Sequence, residues 1–258
     1  VVLIRHRDGQ AHLVNMVESS PDDQVQPRLV TPDSRKPGDG LPRGRPVLVR
    51  IPDEQWVHLD DELLSNPWHL RAWHCKSDAS EVFFEYNQRG HQVYRLLAAR
   101  PSDGRVRVVV EETSDTFINY SDKIDGRHLD RTDQLLWMSE RDGWNHLYVI
   151  DRKRGEVVRQ LTEGRWVVRE IDHVDEEAGR VWFRMMGFDS DQDPYHVHYA
   201  RINLDGTGFT RLTKGNGTHE LEFGPDRVGY IDTWSRVDQP PVHELRRGAD
   251  GSLVRELG

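Results

Sequence analysis

Sulfur is scarce in this 258-residue sequence, which has one cysteine, Cys75, and four methionines. No internal disulfide can form, and cysteines cannot build a zinc site. Long apolar runs are missing too. With 36% hydrophobic and 31% charged residues, no stretch approaches the ~18 consecutive apolar residues of a membrane-crossing helix, so no membrane contact is expected from this segment. Positive charge is not in excess: 35 basic against 44 acidic residues give −9. That balance repels phosphate backbones, and nucleic acid is not an expected partner. Neither a P-loop nor G-x-G-x-x-G occurs. No serine sits in G-x-S-x-G, the strained turn that exposes the nucleophile of α/β-hydrolases. The 13 histidines and many aspartates make accidental Ser/His/Asp triples certain, so composition cannot support a triad. No catalytic residue, cofactor or metal is expected in this segment.

Large rings, by contrast, are plentiful. Eight Trp, seven Tyr and seven Phe supply burial that can offset the entropy of ordering, so the chain folds. It opens VVLIRHRDGQ, with no initiator Met, signal-like apolar stretch or small-residue cleavage site. Val1 to Arg5 already reads as a strand. The expectation is a piece of a longer polypeptide.

Repeats organise the rest of the chain. Turn glycines fall at Gly104, Gly155, Gly206 and Gly251, spaced 51, 51 and 45 residues apart. Before them lie QVYRLLA, HLYVID, YARINL and PVHELR; after them come RVRVVVEE, EVVRQLTEG, TGFTRLTKG and SLVREL. Thr162 and Thr213, in RQLTEG and TRLTKG, are also 51 apart. Upstream in each unit is a more continuous apolar run, EVFFEY, LLWMS, VWFRM or VGYID, as expected of strands covered on both faces. Shorter candidates precede three of these: HLRAWH, RWVVREIDHV and HELEF. Four short strands per ~40 to 50 residues predict an all-β fold, a fragment of a β-propeller with four-stranded antiparallel blades. The expected blades are 69–112, 117–163, 165–214 and 218–257. An incomplete blade over 1–59 precedes them, interrupted by a polar insertion, 18–45. Prolines and glycines crowd the stretch from Pro37 to Pro46 and argue against regular structure there. Asp53 to Leu64 reads equally as a capped helical turn or a strand. Unclosed blade faces should self-associate or expose rings such as Trp73 and Trp137.

Several side-chain clusters invite a chemical reading. His196 and His198 alternate on a strand and could clamp a metal, although hydrogen-bonded strand histidines explain them more simply. Asp189, Asp191 and Asp193 resemble the start of a calcium loop, but Pro194 replaces the required glycine and Ala200 the closing carboxylate. HELEF and HELRR lack the second histidine of a zinc peptidase. Asn119-Tyr120-Ser121 and Asn216-Gly217-Thr218 are sequons, meaningful only in a secretory host. The acidic pairs Asp60-Asp61, Glu111-Glu112 and Glu176-Glu177 could anchor a cation but are more simply solvated turns and strand ends.

Taken together, NQRGHQVYR, EETSDTFINYSDK, WMSERDGWNHLYVID, RINLDGTGFTRLT and DTWSRVDQPPVHEL resemble the N-terminal propeller of the dipeptidyl peptidase IV family, within the prolyl oligopeptidase clan. ESSPDDQVQPRL followed by KPGD matches that family's long insertion. The likeness runs from about Glu18 to Leu257. It implies an eight-bladed propeller followed by an α/β-hydrolase domain, in enzymes that remove X-Pro or X-Ala dipeptides from peptide N-termini.

The partners implied are the hydrolase domain of the same parent chain, peptide substrates and a second copy in a homodimer. The setting implied is periplasmic, secreted or membrane-anchored. The family's nucleophile, Asp and His belong to the hydrolase domain. Its amine-holding glutamates belong to a helical segment upstream of the KPGD insertion, so none of the acidic doublets here takes that role. The loop Asp115 to Asp122 aligns with a region that approaches the extended substrate pocket in relatives. This makes Asn119, Tyr120 and Ser121 the substrate-proximal residues, although they reproduce no known binding motif. The alternative is a protein- or peptide-binding module from a catalytically inactive relative, which a broken triad in the parent gene would favour.

Overall fold

The spaced glycines are the hinges of the fold. Gly104, Gly155, Gly206 and Gly251 all have positive φ, at 77°, 72°, 86° and 71°, a region that penalises any Cβ. Beside each, an aspartate folds back on its own turn: Asp103, Asp151, Asp205 and Asp250 accept backbone N–H groups from Arg105, Lys153 and Arg154, Thr207 and Ser252. These are the side-chain-capped turns that aspartate favours.

The computed structural model describes residues 2–7, 13–32, 34, 36, 39, 40, 43–51 and 54–257. Strand β1 (Val2–Arg7) is followed by a short hairpin of β2 (Met16–Glu18) and β3 (Arg28–Val30), and then by β4 (Arg43–Arg50) and β5 (Gln55–His58). β1, β4 and β5 form a three-stranded sheet in that order. Regular structure therefore enters the insertion, against the expectation from its prolines and glycines. Pro46 sits inside β4, opposite Ile4 of β1. On its other side β5 pairing starts only at Val47, so there the missing N–H removes no ladder bond. After β5, Glu62–Leu64 forms one 3₁₀ turn. The stretch read as turn or strand thus contains both, while Asp53 lies outside the described residues.

Four-stranded sheets follow. The first is β6 (Pro67–Cys75), β7 (Val82–Gln88), β8 (Val93–Ala99) and β9 (Val106–Thr113). The second is β10 (Gly126–Leu129), β11 (Gln134–Ser139), β12 (His146–Asp151) and β13 (Val157–Gln160). The third is β14 (Val167–Asp175), β15 (Arg180–Met186), β16 (Val197–Asn203) and β17 (Thr210–Arg211). The last is β18 (Thr218–Phe223), β19 (Gly229–Arg236), β20 (Gln239–Arg247) and β21 (Leu253–Leu257). Every strand pair with a described register is antiparallel. These are propeller blades. Two departures from the sequence reading stand out. β10 has no apolar run to announce it, and TGFTRLTKG yields only the two residues of β17.

By packing, the chain divides into two units, 1–89 with 96–108 and 90–95 with 109–258, the division passing through β8 and β9. In the first unit Leu48, Leu64, Val82, Phe84, Tyr86, Leu97 and Ala99 form the core. In the second, Leu136, Met138, Leu147 and Val149 of one blade meet Val168, Val181, Phe183 and Met185 of the next. Trp182, Tyr199, Leu212 and Tyr230 continue the core toward the last sheet. Middle strands are the most covered, with all of Leu135 to Ser139 buried on β11, while Val157 to Gln160 of β13 are exposed. Trp137, expected at an open face, is 0% exposed. Its indole N–H reaches Glu112, 2.9 Å away, and its ring centroid lies 6.2 Å from that of Tyr94.

Candidate functional site

The loop between β9 and β10 carries Asn119, Tyr120 and Ser121. It is fastened at its base to the β7–β8 hairpin: the Ser114 amide donates to the Gln92 carbonyl (3.0 Å), Gln92 Nε2 to the Asp115 carbonyl (2.9 Å), and the Ile118 amide to the His91 carbonyl (2.7 Å). Ile118 is buried. His91 holds φ at 58° in that hairpin, and its ring stacks on Tyr120 with centroids 4.8 Å apart. Phe117 meets the same imidazole edge-on at 5.4 Å. Ring packing and backbone bonds therefore fix the loop.

The three residues part company from here. Asn119 uses its carbonyl to accept the Lys123 amide (3.0 Å), and Tyr120 is half-buried against His91. Ser121 alone is exposed at the rim of a pocket of about 420 Å³. That pocket is lined with paired charge. Arg169 bridges to Asp122 at 3.1 Å, and Arg184 to Glu170 at 3.1 Å, every partner being more than a third exposed.

The other clusters resolve into structural roles. Both ring nitrogens of His198 are engaged, Nδ1 with Thr213 Oγ1 (3.1 Å) and Nε2 with Gln192 Oε1 (3.0 Å). Asp189 pairs with Arg211, and Asp193 accepts the Tyr195 amide at 2.9 Å. Glu112 holds Trp137 and Arg141, Asp61 pairs with Arg45, and Glu176 accepts the Arg131 amide. His219 of HELEF is buried, its nitrogens facing Asp232 Oδ1 (2.8 Å) and the Gly215 carbonyl (2.9 Å). Among the described residues, no three His, Cys, Asp or Glu side chains are grouped to hold a metal ion.

One device escaped the sequence reading. In two successive blades a buried histidine clasps a buried threonine: His146 Nδ1 to Thr162 Oγ1 at 3.0 Å, and His198 Nδ1 to Thr213 Oγ1 at 3.1 Å. Each hydroxyl also accepts the amide after the histidine, Leu147 or Tyr199, at 3.0 Å. The threonine register was visible. Its partner could have been found from the histidines 16 and 15 residues earlier.

Burial, followed by the neighbouring His219 and Arg211, pushes the His198 pKa down to about 3. In the unfolded chain this imidazole titrates near its ordinary value, ~6.5. Between those values the unfolded state binds the extra proton, so stability rises with pH. Stability should therefore begin to fall as pH drops through 6.5 and keep falling toward 3. The His198→Gln variant should show a flatter stability profile across this range in urea titrations at several pH values. Parallel profiles would contradict the assignment.

A sequence model of the dipeptidyl peptidase IV (DPP IV) N-terminal region matches residues 3–241. Two crystal structures share the fold over 100% of this chain, each with a TM-score of 0.73. One is Porphyromonas gingivalis dipeptidyl peptidase 4, 19% identical. The other is a Bacteroides ovatus ATCC 8483 protein described as a dipeptidyl aminopeptidase IV, 16% identical. The chain spans 35% and 38% of those two proteins.

Proposed function

Because the chain belongs to the dipeptidyl peptidase IV N-terminal region family, we propose that it is the non-catalytic, substrate-gating propeller portion of a DPP IV-like serine exopeptidase. The parent enzyme removes X-Pro or X-Ala dipeptides from peptide N-termini, and the nucleophile comes from the hydrolase domain of the same parent chain. The observation that carries this reading is the placement of Ser121 at the rim of a polar pocket, on a loop fixed by Tyr120 and His91. A rigid rim of this kind restricts entry and holds the extended part of a peptide at a constant distance from a reacting centre. Asn119 and Tyr120 act by holding the loop, while Ser121 contacts the substrate.

The test uses the complete parent protein. Ser121→Arg places a long cation at the rim and should raise KM for peptides reaching several residues past the scissile bond by about tenfold, with kcat within about twofold. The isolated 258-residue chain should show no peptide turnover. Hydrolysis by the isolated chain, or a fall in kcat with KM unchanged, would sink the proposal.

A further inference from the structure

A second pocket, remote in sequence from the Ser121 loop, lies between the last two sheets, where the β14–β15, β18–β19 and β20–β21 hairpins meet. Its volume is about 430 Å³. One wall is a cross-strand row, with His173 opposite Trp182 and Trp182 opposite Arg201 on β14, β15 and β16. Facing it are Arg227 from the β18–β19 hairpin and the Gly248-Ala249 turn. The two hairpins are locked together: the Gly248 amide donates to the Val228 carbonyl at 2.8 Å. A Cβ on Gly248 would come within 1.9 Å of the Arg227 carbonyl oxygen.

Hydrogen-bond donors outnumber free acceptors here. Arg201 gives its two terminal nitrogens to the Gly248 and Ala249 carbonyls at 3.2 and 3.0 Å. Its Nε is buried without an acceptor. Trp182 is only 4% exposed, and its indole N–H also lacks a partner. Arg180 lines the same pocket. Among the described residues, neither Arg180 nor Arg201 has a carboxylate partner.

Asp175 and Asp226 also line the pocket, and each commits one carboxylate oxygen to a backbone amide. Asp175 accepts the Ala178 amide at 2.9 Å, Asp226 accepts the Val228 amide at 3.1 Å, and Asp172 lies 3.5 Å from Arg227. Burial and then Arg180 lower the Arg201 pKa; burial and then Arg227 lower that of His173.

We propose that this pocket is an oxyanion site, in which Arg180 and Arg201 receive a carboxylate or phosphate group. Planar guanidinium groups with unspent N–H donors match the oxygens of such groups. The inference is independent of the role given to Ser121.

Thermal unfolding of the full chain, followed with inorganic phosphate and separately with succinate at constant ionic strength in chloride, tests the site. Either anion should raise Tm in a saturable way below about 20 mM. A response to phosphate alone assigns a phosphoryl ligand, and one to succinate alone assigns a carboxylate. Arg201→Gln and Arg180→Gln should each weaken the apparent affinity at least about tenfold. Arg180→Gln keeps the test open if loss of Arg201 unfolds the protein, because among the described residues Arg180 makes no ion pair that its removal would break. No shift beyond the chloride control, or unchanged affinity in Arg180→Gln, would overturn the proposal.

Discussion

Asp232→Ala should destabilise the last blade by about 3–5 kcal/mol, the usual cost of removing one partner from a buried charged pair. Asp232 is 0% exposed on β19, with His219 Nδ1 2.8 Å from one oxygen and Arg246 Nε 3.3 Å from the other. Arg246 also reaches Glu244 at 2.6 Å and the Gly251 carbonyl at 2.7 Å. Alanine would leave both buried nitrogen groups without that carboxylate. Asp232→Asn keeps the shape and one acceptor, so its loss should be smaller. Urea midpoints of the three proteins measure the difference. A shift for Asp232→Ala equivalent to less than about 1 kcal/mol would show that the network contributes little.

A comparable loss is expected from Trp137→Ala, about 3–5 kcal/mol, because the ring is wholly buried and its removal leaves a cavity. The indole has a second effect. Glu112 accepts both the Trp137 N–H (2.9 Å) and Arg141 Nη2 (2.7 Å), so Trp137→Phe should cost about 1–3 kcal/mol for the lost donor even with most of the volume kept. If phenylalanine is tolerated at full stability while alanine is not, packing alone accounts for the site. If Glu112→Gln in the Trp137→Phe background restores what was lost, the unmatched carboxylate is the cause.

The parts of this fold readable from the sequence are those whose chemistry is local. Gly155 and Gly206 could be recognised because glycine is the residue that takes a left-handed turn conformation at least cost. β10 could not be read, because Gly-Arg-His-Leu has no pattern of its own and becomes a strand by pairing with Gln134 to Trp137. Glu112 looked like half of an acidic doublet until Trp137, 25 residues on, supplied its partner. Ser121 was placed near a substrate by resemblance alone, and its position at a pocket rim depends on Arg169 and Arg184 from the next blade. The arginine-lined pocket was invisible for the same reason: Arg180, Arg201 and Arg227 converge only once strand register is known.

Within each complete sheet the strands lie side by side in chain order. A newly made segment of ~40 to 50 residues therefore holds every strand its blade needs, and pairing need not wait for distant sequence to leave the ribosome. Such nearest-neighbour topology favours rapid, stepwise assembly in the direction of synthesis. Its hazard is exchange between look-alike strands, since RQLTEG and TRLTKG offer the same threonine to either waiting histidine.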